Sequence, residues 1–321
     1  MMNVRLLETR NSARRKDFEE SEGNEGLCER IVRVPSFEQK SFEFEWIREI
    51  QSLFQEGLRC EVLENIIIHG SYGDNTHNNY SDIDLTLLLA DSVWGDKKKM
   101  NLCEKWIRRE VYPFLYKVDP LQHHGPFYLW RSLMDYYDNS ILPVDVYSDA
   151  WAVESTNLLF KAYVPTLKSE FLSLITCEAL LNSSERFFKH GYSLFAMKRF
   201  LSNLMLIPAF FYTDLGKGML KAKSFEPFYN GFPKESRAVR AASAIRENWP
   251  ALTRLHKMAV FFERFAFKSN KYGKRIFFNR RIESQIKNEI IPILPQLYRV
   301  LKNELLSKNK DRIGSLSHNI G

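Results

Sequence analysis

Two hydrophobic runs on either side of a polar loop constrain this chain more than anything else in it. The first, Val62-Leu63-Glu64-Asn65-Ile66-Ile67-Ile68-His69, is rich in β-branched residues and stops at Gly70, as a buried strand does. Residues 70–81, GSYGDNTHNNYS, hold Gly, Asn, Asp and Ser and predict a loop with a short helical turn. The second run, residues 82–89 (DIDLTLLL), predicts the next strand. Its first half alternates carboxylate and apolar side chains, so Asp82 and Asp84 are expected on one face. Carboxylates at that spacing stand roughly 6–7 Å apart along a strand, and could bridge and flank two divalent cations about 3.5–4 Å apart.

The chemistry of the loop matches that of the carboxylates. Aspartates on one strand face repel each other unless a cation neutralises them. The sequence therefore predicts that removing Asp82 or Asp84 leaves the metal-free fold intact or slightly more stable. Oxygen ligands suit Mg²⁺, which also bonds to substrate phosphates. Gly70 lets backbone N–H groups approach an anion and Ser71 adds a hydroxyl donor. A third carboxylate, to position or deprotonate an attacking hydroxyl, is offered by Asp145 in Leu142-Pro143-Val144-Asp145-Val146-Tyr147, read as part of a short strand over 141–147.

The remaining chain divides by texture. Residues 1–28 are polar and aperiodic and read as a mobile N-terminal tail. A helix is expected from Pro35-Ser36, with Ser36 as N-cap and Gly57 as its stop; Phe44 falls off its apolar spacing. Another is expected over 98–116, and a strand over 127–130, with His123-His124 leading into it. From about residue 156 helical spacing dominates, over 167–182, 184–214, 233–248, 250–268 and 280–307. The expected organisation is an α/β (α+β) domain over 29–155, followed by an all-helical domain over 156–321.

Composition narrows the class. With 45% hydrophobic and 26% charged residues, the chain has the balance of a soluble globular protein. Its four cysteines lack C-x-x-C spacing, which argues against a disulfide scaffold or a cysteine-ligated zinc. The most apolar stretch, 192–215, is interrupted by Lys198 and Arg199, and a cytoplasmic location without membrane contact is expected. Charge is split along the chain. Residues 1–185 hold 20 Lys and Arg against 30 Asp and Glu, a net of −10, whereas 186–321 hold 26 against 9, a net of +17. An acidic half joined to a basic half suits an anionic ligand held between them, or nucleic acid on the basic half.

The order of these residues resembles a known family. His69-Gly70-Ser71 after an apolar run, a loop, Asp82-x-Asp84 and a later Asp145 resemble the pattern of the nucleotidyltransferase superfamily related to DNA polymerase β, matched at Gly70, Ser71, Asp82, Asp84 and Asp145. The resemblance covers roughly residues 36–150. It implies a nucleotidyltransferase domain built on a small mixed sheet with helices on one face. It further implies two Mg²⁺ ions held by Asp82, Asp84 and Asp145, with Asp145 acting as or assisting the general base. Residues 192–250 resemble the C-terminal helical domain of aminoglycoside adenylyltransferases: a long helix, the turn Leu215-Gly216-Lys217-Gly218, a Lys221-Ala222-Lys223-Ser224 segment and Gly231-Phe232-Pro233. That likeness implies a phosphate-binding lysine, Lys223 or Lys221. The implied reaction transfers a nucleoside monophosphate from an NTP, ATP first, to a hydroxyl acceptor of small-molecule type. RNA, a protein hydroxyl or a nucleotide second messenger are the other acceptors, and an inert nucleotide-binding regulatory module is the non-enzymatic alternative.

Overall fold

The structure is a computed structural model, and it describes residues 28–39, 44–138, 142–154, 158–163, 171–190, 194–215, 217, 219–253, 257 and 280–318. The tail reading, apart from Cys28, and most of the helix expected over 250–268 lie outside these residues. The chain divides into two compact units, one of Met1–Thr76 with Ile83–Pro165, the other of His77–Asp82 with Thr166–Gly321.

The first unit is built on two small sheets. Strands β1 (Cys28–Val34), β2 (Leu63–His69), β3 (Asp84–Leu89), β4 (Phe127–Trp130), β5 (Tyr137–Asp138), β6 (Trp151–Ala152) and β7 (Leu158–Tyr163) form a four-stranded sheet in the order β4-β3-β2-β6 and a three-stranded sheet in the order β1-β7-β5. The larger sheet is mixed: β3 runs antiparallel to β2 and parallel to β4, and β6 is antiparallel to β2. Strand β7 lies beyond residue 155, where the sequence expects the helical domain to have begun, and it is the central strand of the smaller sheet.

The apolar runs of β2 and β3 are continuous because both faces of their sheet are covered. Ile66, Ile68, Leu85, Leu87 and Leu89 enter one core with Ile50 and Phe54 of helix α1 (Ile47–Arg59), Cys103 and Trp106 of α2 (Lys97–Trp106) and Phe114 and Leu115 of α3 (Tyr112–Val118). Ile67 and Leu88 enter a second core with Val32, Val34, Tyr137, Tyr147 and Phe160 from the smaller-sheet side.

Two local expectations are corrected. Ser36 forms an isolated bridge with Ala152 and leads only into a 3₁₀ turn, Phe37–Gln39; the α-helix α1 begins eleven residues after Ser36. Phe44 precedes that helix and stacks on Trp46, which explains its misfit to the apolar spacing. Gly57 lies inside α1, which runs on to Arg59. A Cβ at Gly57 would stand 2.8 Å from Leu63 Cδ2 and 3.0 Å from Trp106, so the glycine admits β2 and α2 to close contact. Between α2 and α3 the helix widens into a single π-turn, Ile107–Val111, just before Pro113, whose ring would otherwise meet the carbonyl one turn back.

The second unit is helical in its C-terminal part. It contains α4 (Leu172–His190), α5 (Leu194–Asp214), α6 (Lys221–Gly231), α7 (Arg237–Glu247), α8 (Arg280–Gln285) and α9 (Leu294–His318). Asp214, at the end of α5, accepts from the backbone N–H groups of Leu172 and Ser173 at 2.9 and 2.8 Å and so caps α4. Phe211, Phe228 and Phe232 meet edge to face or tilted and join α5 to α6. Among the described residues, α5 is the one helix long and apolar enough to cross a membrane, and most of it is buried inside the protein.

Gly57→Ala is expected to destabilise the protein by roughly 1–3 kcal/mol through overpacking. A lower urea midpoint with an unchanged slope checks this; an unchanged midpoint contradicts the close packing at Gly57.

Candidate functional site

The site in the first unit is set by the pairing of β2 with β3. Their register places His69, the last residue of β2, opposite Asp84, the first of β3. The chain then turns at once through a single 3₁₀ turn, Gly70–Tyr72. Gly70 has φ +63°, the left-handed region that side chains avoid, and a Cβ there would run into Oδ2 of Asp84. Glycine is thus required at position 70 twice over, by the backbone and by the carboxylate beside it. The turn is closed by Gly73 N–H donating to the Gly70 carbonyl at 2.9 Å and Thr76 N–H donating to the Ser71 carbonyl at 2.9 Å. Ser71 is partly exposed on this turn.

Asp84 has a second neighbour that the sequence did not single out. His124 Nε2 lies 3.1 Å from Asp84 Oδ1. The signal was available in β4: it pairs parallel to β3 with Thr86 beside Phe127, so a residue just ahead of β4 sits beside the start of β3. Gln122 fixes both partners. Its amide accepts from Ile83 N–H at 3.1 Å and donates to the Ile83 carbonyl at 3.1 Å, and it also donates to the His124 carbonyl at 3.2 Å. Asp119 holds that turn, accepting from Leu121 N–H at 2.9 Å.

Beneath the carboxylate runs a buried polar chain. His69 Nε2 is 3.0 Å from the Thr86 hydroxyl, which is 3.0 Å from the Tyr147 hydroxyl. Burial pushes the His69 imidazole down to about 4, against the attraction of Asp84, so it is neutral at physiological pH. Burial also raises the Tyr147 phenol.

Asp145 sits differently from its expectation. The segment Val144–Tyr147 is a 3₁₀ turn, not a strand, and Asp145 is its partly buried second residue. Pro143, which leads into the turn, has no N–H to give a strand ladder. The turn is anchored to β3 through Tyr147 and Thr86, each two residues beyond an aspartate of interest.

Strand β3 also starts later than expected. Asp82 and Ile83 precede it on irregular backbone, so the strand pleat does not extend to Asp82. Asp82 belongs with the second unit, where Lys198 Nζ lies 2.9 Å from its Oδ1; the lysine side chain is 0% exposed and the aspartate 10%. Lys198 sits on α5, 5.4 Å from the ring centre of Tyr80, whose hydroxyl donates to the Lys198 carbonyl at 2.7 Å. Lys198 is therefore no surface lysine. The two lysines singled out for phosphate lie on the first turn of α6: Lys221 is half-buried and Lys223 exposed. Gly216 and Gly218 of the preceding turn lie outside the described residues.

The donor set suits a divalent cation. A carboxylate oxygen and an imidazole nitrogen 3.1 Å apart stand as far apart as neighbouring ligands at right angles around an ion, which at arms of about 2.0–2.2 Å are roughly 3 Å apart. Compared with protein-family models, with curated proteins and with solved structures, the chain matches none.

The buried pair reverses one expectation. With Lys198 opposite it, Asp82→Ala strands a buried ammonium and is expected to destabilise the metal-free protein by about 3–5 kcal/mol. Lys198→Met should cost a similar amount, and the double variant clearly less than the two together. Chemical denaturation of all four proteins without divalent ions tests the coupling; additive losses would show that the pair is not energetically linked.

Proposed function

We propose that the protein is a metal-dependent nucleotidyltransferase, its first unit a member of the nucleotidyltransferase fold class, which moves AMP from ATP to a hydroxyl acceptor and releases pyrophosphate. The observation that carries this reading is the contact of the Asp84 carboxylate with Gly70 of the Gly70-Ser71 turn. That close approach supports reading Gly70-Ser71 as the phosphate-binding turn and Asp84 as a metal-binding carboxylate of one site.

In this reading the acceptor oxygen attacks the α-phosphorus, the bond to the bridging oxygen breaks, and pyrophosphate leaves in line. Asp84 and Asp145 would hold Mg²⁺, which would supply charge neutralisation at the α-phosphate and a lowered pKa for the acceptor hydroxyl. Asp145 takes the hydroxyl proton. Gly70 and Ser71 bind phosphate oxygens through backbone N–H and hydroxyl groups. Gln122 holds the backbone on which Asp84 begins. Lys223, with Lys221 beside it, stands on the first turn of α6 in the second unit and is the lysine that the resemblance to aminoglycoside adenylyltransferases implies for phosphate. We assign the enzyme to the cytoplasm; Cys60, Cys103 and Cys177 are free thiols.

A small acceptor is favoured over nucleic acid because residues 186–321 contain no compact arginine-rich tract or RNA-reading motif, despite their basic charge. Short RNA is then expected to bind weakly at physiological salt. Sub-micromolar binding whose logarithm falls with the logarithm of salt at about −0.7 per phosphate would instead make RNA the acceptor.

The central test is pyrophosphate release with each NTP across a panel of hydroxyl acceptors. Asp84→Ala is expected to lower turnover at least about a hundredfold while the melting temperature is retained. Lys223→Ala is expected to weaken binding of a non-hydrolysable ATP analogue in calorimetry while acceptor binding is unchanged. Turnover by Asp84→Ala at the native rate would remove the nucleotidyltransferase reading.

A further inference from the structure

We infer that His124 is a nitrogen ligand of the metal at Asp84, and that this site takes Mn²⁺ in preference to Mg²⁺. The inference rests on the proposed metal site and specifies which ion it selects.

The tautomer follows from the partners. His124 Nδ1 lies 2.9 Å from the Gly125 carbonyl oxygen, which can only accept, so Nδ1 carries a hydrogen. The nitrogen aimed at Asp84 Oδ1 is then Nε2. In the neutral ring, Nε2 presents a lone pair to a carboxylate oxygen 3.1 Å away, an arrangement that needs a positive centre shared by both. Either a proton on Nε2 or a metal ion beside both atoms supplies it.

The surroundings are those of a ligating histidine. Metal-bound imidazoles usually donate their other N–H to a carbonyl or carboxylate, which fixes the ring and raises its basicity. Here the Gly125 carbonyl fills that role. Gly125 is itself held in place, since a Cβ there would stand 2.6 Å from the Tyr112 hydroxyl. The backbone beneath the ring is clamped by Gln122, which also grips Ile83 next to Asp84. Ligand and carboxylate thus share one rigid support. The ring of His123 meets that of His124 edge to face with centres 5.0 Å apart, which makes it the neighbouring nitrogen donor to be told apart in a test.

The ion follows from the donors. Mg²⁺ prefers an all-oxygen octahedron and sheds water reluctantly. An imidazole nitrogen beside carboxylate oxygens moves preference along the divalent series toward transition metals. Mn²⁺ accepts both donor types and keeps the octahedral, oxygen-rich environment that substrate phosphates complete.

Electron paramagnetic resonance of the full-length protein loaded with Mn²⁺, without nucleotide, tests this directly. Echo-modulation spectra are expected to show coupling to an imidazole ¹⁴N in the native protein. The coupling should vanish in His124→Asn and persist in His123→Asn. The Mn²⁺ dissociation constant should rise about 10–100-fold in His124→Asn, the range seen on disturbing a ligating histidine's shell, with the weaker Mg²⁺ affinity changing less. Bound Mn²⁺ without nitrogen coupling in the native protein overturns the inference and leaves the carboxylate site standing, with His124 and Asp84 a proton-linked ion pair. Coupling that survives in His124→Asn and is lost in His123→Asn assigns the nitrogen to the wrong histidine and also overturns it. Absence of Mn²⁺ and Mg²⁺ binding in the native protein sinks both this inference and the metal-dependent reading. If His124→Asn fails to fold, loss of the coupling in His123→Asn overturns the inference and its persistence there supports it.

Discussion

The register of β2 against β3 is the constraint from which the site in the first unit follows. Both strands are covered on both faces, by helices on one side and by the smaller sheet on the other. A slip of one residue would exchange every side chain between the two cores. It would turn Ile66 and Ile68 away from α1 and part His69 from both Asp84 and Thr86. Packing of two differently shaped cores therefore fixes the pairing of His69 with Asp84. The Gly70 turn depends on that pairing, because it begins at the next residue.

The polar chain at His69, Thr86 and Tyr147 shows how a carboxylate can be supported from inside a core. Each group would be costly to bury alone. Linked in sequence, with bonds of 3.0 Å between them, they satisfy one another and tie the 3₁₀ turn carrying Asp145 to strand β3. The imidazole stays neutral through burial, so it can bond to a hydroxyl beneath Asp84 without becoming a competing cation. Rigid support of this kind is what a metal-binding or catalytic carboxylate requires.

Much of this was legible in the residues. The β-branched run at 62–69, the Gly-Ser stop and the apolar half of 82–89 gave two neighbouring strands, because unbroken hydrophobicity and turn chemistry are local signals. Other features rest on contacts between distant parts of the chain, which local signals do not carry. Gly57 reads as a helix stop, yet it is the point where Leu63 and Trp106 approach a helix too closely for a side chain. The apolar sequence around Asp145 reads as a strand, but Pro143 and packing of Tyr147 against Phe160 make it a tight turn. His123-His124 has no metal-ligand spacing of its own. Only the parallel register of β4 on β3 brings His124 to Asp84.

Lys198 is the instructive failure of a local rule. A lysine within an apolar helical stripe interrupts hydrophobicity on paper, and its ordinary explanation is a surface position. Yet the lysine side chain is completely buried, and it is stabilised there by the Asp82 carboxylate and the face of Tyr80. Reasoning from Asp82-x-Asp84 alone treats the two aspartates as equivalent, each destabilised by the other. Their partners make them unequal. Asp82 already has a fixed protein cation and is an integral part of the helical unit's packing. Asp84 is partnered by an imidazole, a group that can exchange its proton for a metal. Where two like charges recur in a motif, the identity of each counter-charge decides which residue serves the fold and which is open to chemistry.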